Sequence, residues 1–209
     1  MGSGEPREAT RLRRNQESPL AGESNSLTRL VAFLRGINVG GHIVKKEKLL
    51  ESFTALGFLN VTTYRQSGNV IFETEIPDLS EVETRIEDKL RGALGYDVPV
   101  FIRKVEYLRS LVKRNRIKVE GEGTSLMVTL LPGPASDSAL SLPLTIPKSK
   151  AEIVSASGSE VFSLTHGGGE GGLPNPFLES RLKVKATTRN MNVIKEIVEN
   201  CGQDSDRTP

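Results

Sequence analysis

The chain predicts an α+β protein: a ferredoxin-like βαββαβ subdomain followed by a smaller α+β subdomain. Three observations carry that expectation. Leu30 to Leu34 is an unbroken apolar run, as a covered central strand requires. Leu79, Val82, Ile86, Leu90 and Ala93 form one stripe at helical spacing. Between them, two short apolar runs flank Ser67-Gly68-Asn69, a turn in which Gly and Asn tolerate positive φ. With Val98 to Arg103 as a fourth strand, the order of elements is that of the ferredoxin-like unit.

Each element has a local reason. After the first strand, Gly36, Gly40 and Gly41 punctuate a polar loop. Leu49, Phe53 and Leu56 then recur at helical spacing, and Gly57 stands where a helix C-terminal glycine belongs. Val61 to Tyr64 and Val70 to Glu73 are the strands of the hairpin. Asp78 and Glu81 have capping-box-like spacing ahead of the long stripe. The pairs Glu81/Arg85 and Glu87/Arg91 add i,i+4 support, and Gly95 ends the helix. The second half is less regular. Val105 to Arg114 predicts a helix, and Arg116 to Thr124 is a charged, glycine-bearing boundary. Leu126 to Leu131 predicts a strand. Pro132 to Pro147 is rich in Pro, Ser and Ala, with room for one short helix. A hairpin follows around Ser157-Gly158-Ser159, then a glycine-rich loop and a short helix near Asn175 to Leu182. The last helix places Ile194, Ile197, Val198 and Cys201 on one face. The expected layout is a disordered tail at 1–27, the first subdomain at 28–115, the second at 116–201 and a disordered tail at 202–209.

Topology turns these elements into a site. A ferredoxin-like sheet has strand order 4-1-3-2, so strands one and two run in the same direction. The loop Arg35 to Gly41 and the turn Gln66 to Asn69 therefore lie at one end of the sheet. Arg35, Asn38, Gln66, Ser67 and Asn69 become expected neighbours. Arg35 could clamp an anion, since a guanidinium binds phosphate or carboxylate bidentately. Gly40 and Gly41 would let backbone donors approach, next to a helix N-terminus. The bland alternative is that Arg35 and the loop amides merely tie the loop to the turn, with Asn38 in a simple Asx-turn. Arg189, in Thr187-Thr188-Arg189-Asn190 before the last helix, would be a second cation. That segment also reads as an N-cap. A cation at a helix N-terminus is electrostatically unfavourable, which favours an anionic partner.

Composition narrows the classes. The 209 residues carry a net charge of +2, too small to argue for a nucleic-acid or membrane partner. One cysteine, Cys201, permits no internal disulfide. No apolar run reaches membrane-spanning length, and the N-terminal tail mixes arginines with glutamates and has no apolar core. A cytoplasmic location is the resulting expectation. His42, His166 and Cys201 offer no metal-ligand spacing, and no cofactor is expected. His166-Gly-Gly-Gly-Glu-Gly-Gly172 contains a formal G-x-G-x-x-G. Pro174 and Pro176 block a long helix after it, so a loop is the better reading.

Five segments together resemble a known family. They are Val31-Ala-Phe-Leu-Arg-Gly-Ile-Asn-Val-Gly-Gly41, Leu56-Gly-Phe58, Tyr64-Arg-Gln-Ser-Gly-Asn-Val-Ile-Phe72, Gly95-Tyr-Asp-Val-Pro-Val100 and Ala186-Thr-Thr-Arg-Asn-Met-Asn-Val193. The chain resembles the uncharacterised, mainly bacterial family 1697 of the domains of unknown function, from roughly Arg29 to Asn200. The resemblance implies a ferredoxin-like first subdomain and no assigned activity. Family members usually carry a tryptophan where Met191 stands, and often Ser-Lys where Gly171-Gly172 stand. The chain therefore resembles a divergent member.

Three functions compete. One is binding of a small anionic ligand (nucleotide, phosphate or carboxylate) at the loop-and-turn site, by a binder or an enzyme. Another is a protein-interaction scaffold whose polar motifs are structural. The third is an RNA-binding module, since that fold also recognises RNA. Its third strand would need stacking aromatics at Ser67 and Asn69, so nucleic acid is disfavoured. The residues select no oligomeric state.

Overall fold

The structure is a computed structural model that describes residues 26–38, 43–65, 68–135, 140–167 and 173–203. The expected disordered tails fall almost wholly outside these residues. So do Gly40, Gly41, His42, Gln66, Ser67 and the core of the glycine-rich loop.

The first half is a four-stranded antiparallel sheet in the order β2-β3-β1-β4. Its strands are β1 (Thr28–Leu34), β2 (Leu59–Thr63), β3 (Asn69–Thr74) and β4 (Val100–Lys104), with α1 (Lys46–Thr54) and α2 (Leu79–Leu94) as connections. This is the expected ferredoxin-like order. Local chemistry sets the helix ends as read. Asp78 accepts from the Ser80 N–H at 2.8 Å at the start of α2, and Gly95 closes it at φ 79°.

The pleat explains why β1 is apolar throughout. Leu30, Ala32 and Leu34 pack under α1 and α2 with Phe53, Phe58, Phe72, Ile86 and Leu90. Val31 and Phe33 point to the opposite face, with Ile71 and Phe101. That face is also buried, because α3 (Val105–Arg114) and α5 (Met191–Gln203) lie across it. The face on which an RNA-recognition fold stacks bases is thus filled by helices. Beyond them lies a second antiparallel sheet, order β6-β7-β8-β5-β9. It comprises β5 (Ser125–Leu130), β6 (Leu144–Thr145), β7 (Ala151–Ser157), β8 (Glu160–Thr165) and β9 (Thr187–Asn190). Leu126, Val128, Leu130 and Phe162 face inward onto Leu108, Leu111, Ile194 and Ile197. The outer face is closed by α4 (Asn175–Leu182) through Leu178, with Leu131, Leu140, Ile146 and Ile153. The layers therefore run helix, sheet, helix, sheet, helix, and the middle helices share one core with both sheets.

Two elements differ from the sequence reading. Among the described parts of 132–147 there is the two-residue strand β6 and no helix. Thr187 to Asn190 is a strand on the edge of the second sheet, with Thr188 opposite Thr129. Asn190 alone caps α5, accepting from the Asn192 N–H at 2.9 Å. The edge of the first sheet is closed by side chains. The Val100 and Ile102 N–H groups on β4 donate to Glu87 and Glu83 of α2, each at 2.9 Å, which removes free donors from that edge.

Candidate functional site

The end of β1 and the β2–β3 turn meet as topology requires. The Leu34 N–H donates to the Gly68 carbonyl at 2.8 Å. Gly68 sits at φ 71°, and a Cβ there would stand 3.2 Å from the Leu34 and Ile37 side chains and from the Leu34 carbonyl. Only glycine suits a left-handed residue pressed this closely against a neighbouring strand. Asn38 is also left-handed, at φ 59°, and its Oδ1 accepts from the Val44 N–H at 2.8 Å. It thereby closes the loop ahead of α1.

The expected site arginines both reach this end, and both have internal partners. Arg189 extends from β9 of the second sheet and donates to Asn69 Oδ1 at 2.6 Å, to the Leu34 carbonyl at 2.9 Å and to the Gly68 carbonyl at 3.3 Å. Its guanidinium also lies 5.6 Å from the centroid of the Phe33 ring. Burial lowers its pKa to about 10, so it remains a cation at neutral pH. The residue keeps part of its surface open at the cleft edge while the guanidinium is packed among carbonyls. Its charge, unfavourable at the start of α5, is met by carbonyl dipoles. Asn69 is buried, and its amide nitrogen donates to the Tyr64 carbonyl at 3.0 Å.

Arg35 turns toward the second half. Its Nε and Nη2 donate to Glu179 Oε1 and Oε2 of α4 at 2.7 and 2.8 Å, a bidentate pair. Glu179 Oε1 also accepts from the Ala186 N–H at 2.8 Å, and Arg35 reaches the Ala186 carbonyl at 3.1 Å. A protein carboxylate thus occupies the bidentate position that an anionic ligand would take. A third arginine completes the seam. Arg103 of β4 donates to Glu160 Oε1 at 2.7 Å and to the Leu131 carbonyl at 2.9 Å. Glu160 is fully buried, and its other oxygen accepts from the Tyr107 hydroxyl.

Two clefts flank the β1–α1 loop. One, of about 470 Å³, is bordered by Arg35, Asn38 and Arg189, so these three expected residues do share a space. The other, of about 600 Å³, lies between the start of α1 and the β2–β3 turn. Asn38, Gly68 and Asn69 border it, together with Ile43, Val44, Lys45, Lys46, Glu47, Leu49, Thr63 and Arg65. Lys45 and Lys46 are exposed and have no acidic partner among the described residues. Lys45 stands at the N-cap of α1 and makes no side-chain capping bond. Two cations therefore sit at the positive end of a helix dipole, with Glu47 in the same first turn as the opposing charge. Arg65, at φ 54°, is held differently: it donates to Glu196 at 2.6 Å.

The sequence reading placed its candidate residues at this end of the sheet and did not name Lys45 or Lys46. The argument applied to Arg189, a cation at a helix N-terminus, applies with more force to Lys45-Lys46. The partners of the arginines carried no local signal, since Glu179 lies 144 residues from Arg35.

Comparison with known proteins agrees with this architecture. The model of the family described as "Protein of unknown function (DUF1697)" matches residues 27–162. Among solved structures, the conserved bacterial protein SP0830 from Streptococcus pneumoniae is similar, with a TM-score of 0.60 at 19% identity. The likeness covers 83% of this chain and 98% of that one, and at this identity it speaks for the fold alone. No curated protein matches the chain.

Proposed function

The chain belongs to the DUF1697 family, and on that premise we propose that it binds a small anionic ligand in the cleft between the start of α1 and the β2–β3 turn. The observation that carries this reading is the pair Lys45 and Lys46, exposed on a cleft of about 600 Å³ without an acidic partner among the described residues. Ammonium groups attract phosphate or carboxylate as point charges, and the N–H groups at the start of α1 add donors. Glu47 opposes them by one charge. Arg189 and Asn69 then act behind the site, holding Gly68 against the end of β1, while Arg35 ties that end to α4.

A thermal-shift screen against nucleotides, sugar phosphates and simple anions tests the reading. A ligand at a hundredfold its dissociation constant stabilises by about 2.7 kcal/mol. The expected result is a shift with phosphate-bearing compounds that Lys45→Ala/Lys46→Ala abolishes without lowering the midpoint of the free protein. A shift that survives in the double variant moves the site elsewhere. No shift across the panel supports the scaffold reading instead, which the internal partners of Arg35 and Arg189 favour.

A further inference from the structure

We propose that the ligand is an organic phosphate with a planar or apolar body, of the nucleoside monophosphate or aryl phosphate class, and not an inorganic anion. The inference rests on the anion-binding reading above and deepens it.

Size is the first argument. About 600 Å³ falls in the range of pockets that enclose whole small molecules, roughly 300–1,000 Å³. A lone phosphate would leave most of that space to water. Lining is the second. The residues just before the two lysines are Ile43 and Val44, and Leu49 follows one turn into α1; all three border the cleft. Ile43 is 85% exposed, more than any other large apolar side chain described. A single exposed apolar residue means little. Here it stands on a concave surface that also carries apolar side chains and two lysines without an acidic partner among the described residues, which is the composition of a site for a charged head and an apolar body. Thr63 borders the same space and carries a hydroxyl that could orient a ligand. A mononucleotide or aryl phosphate matches each part: its phosphate meets Lys45 and Lys46, and its ring covers Ile43.

Isothermal titration of the full chain with inorganic phosphate, phenyl phosphate and phenol separates the contributions. Phenyl phosphate is expected to bind about tenfold tighter than inorganic phosphate, since burying part of the Ile43 side chain is worth that much. Phenol alone is expected to show no measurable binding. Ile43→Ser, at an exposed position, should bring phenyl phosphate down to the affinity of inorganic phosphate and leave the latter unchanged. Equal affinities for the two phosphates in the wild type would overturn the organic-ligand inference while the anion-binding reading stands. An unchanged ratio in Ile43→Ser would overturn the assignment of the ring to this cleft. Absence of binding by either phosphate would overturn both readings.

Discussion

The seam between the two sheets and the cleft beside α1 both carry cations, and the two regions treat them in opposite ways. In the seam, Arg103, Arg189 and Arg35 each cross from one half of the chain to the other and meet a carboxylate, an amide or carbonyls. In the cleft, Lys45 and Lys46 come from one short segment and meet no acid among the described residues. The residue types fit the division. A guanidinium presents several donors in a rigid plane and can satisfy scattered acceptors at once, whereas an ammonium is a well-hydrated point charge. A buried seam costs free energy wherever an acceptor is left unpaired; an exposed cleft gains from charge that is left available. The comparison teaches that conspicuous arginines in polar motifs can be stabilising links while plainer lysines nearby keep their charge exposed.

Substitutions break the comparison from its strongest side first. Arg103→Ala leaves the fully buried Glu160 carboxylate without its cation. The expected loss is about 3–5 kcal/mol, read by chemical denaturation. A loss below about 1 kcal/mol would mean that the seam tolerates an unpaired acid and is not built as described. Arg189→Ala removes a charged donor from the Leu34 and Gly68 carbonyls and from Asn69, and should cost about 2–3 kcal/mol. Lysine at this position should recover little of it, because one ammonium cannot span those acceptors.

Tyr107→Phe strips Glu160 of its second donor and should cost about 1–2 kcal/mol at neutral pH. Burial, and then the bond to Glu160, push the Tyr107 hydroxyl up to about 12 from an ordinary 10.0. A raised pKa means that the folded state keeps its proton longer. The contribution is therefore full below pH 10 and lost as pH rises through about 12. Denaturation of wild type and Tyr107→Phe across that window should show their difference shrinking; a constant difference would remove the phenol from the account.

Arg35→Ala is expected to cost only about 1 kcal/mol, because the Arg35–Glu179 pair is partly exposed and screened. Phosphate affinity should stay within about twofold of wild type, since the clamp faces Glu179. A complete loss of binding with an intact fold would restore Arg35 to the ligand. Lys45→Ala/Lys46→Ala sits at the other extreme. Its stability should change by less than about 0.5 kcal/mol, as for exposed positions generally. The two variants together would sharpen the contrast: one moves stability and spares binding, the other does the reverse.

What the chain reveals locally divides cleanly from what it conceals. The helices and most strands were legible because apolar spacing and glycine punctuation are local, and βαββαβ restricts the first sheet to the observed order. That order by itself brings the end of β1 beside the β2–β3 turn. β9 was not legible as a strand: Thr187 to Asn190 is four polar or half-polar residues with no alternation to read, and it becomes a strand only by pairing with β5. The second buried face of the first sheet was legible in part. Alternating residues of β1 are all apolar, but nothing local says that α3 and α5 supply the cover. The occupancy of the arginines was wholly tertiary. Arg35 and Glu179, or Arg103 and Glu160, are far apart in sequence, and whether a guanidinium meets a ligand or a protein carboxylate depends on which surface folds against it. Sequence alone thus determined most of the elements, the strand order of the first sheet and the end of that sheet where polar groups gather. The packing of one half on the other decided which of those groups are consumed and which remain open, because charges are satisfied by whatever lies within a few ångströms in space, irrespective of separation along the chain.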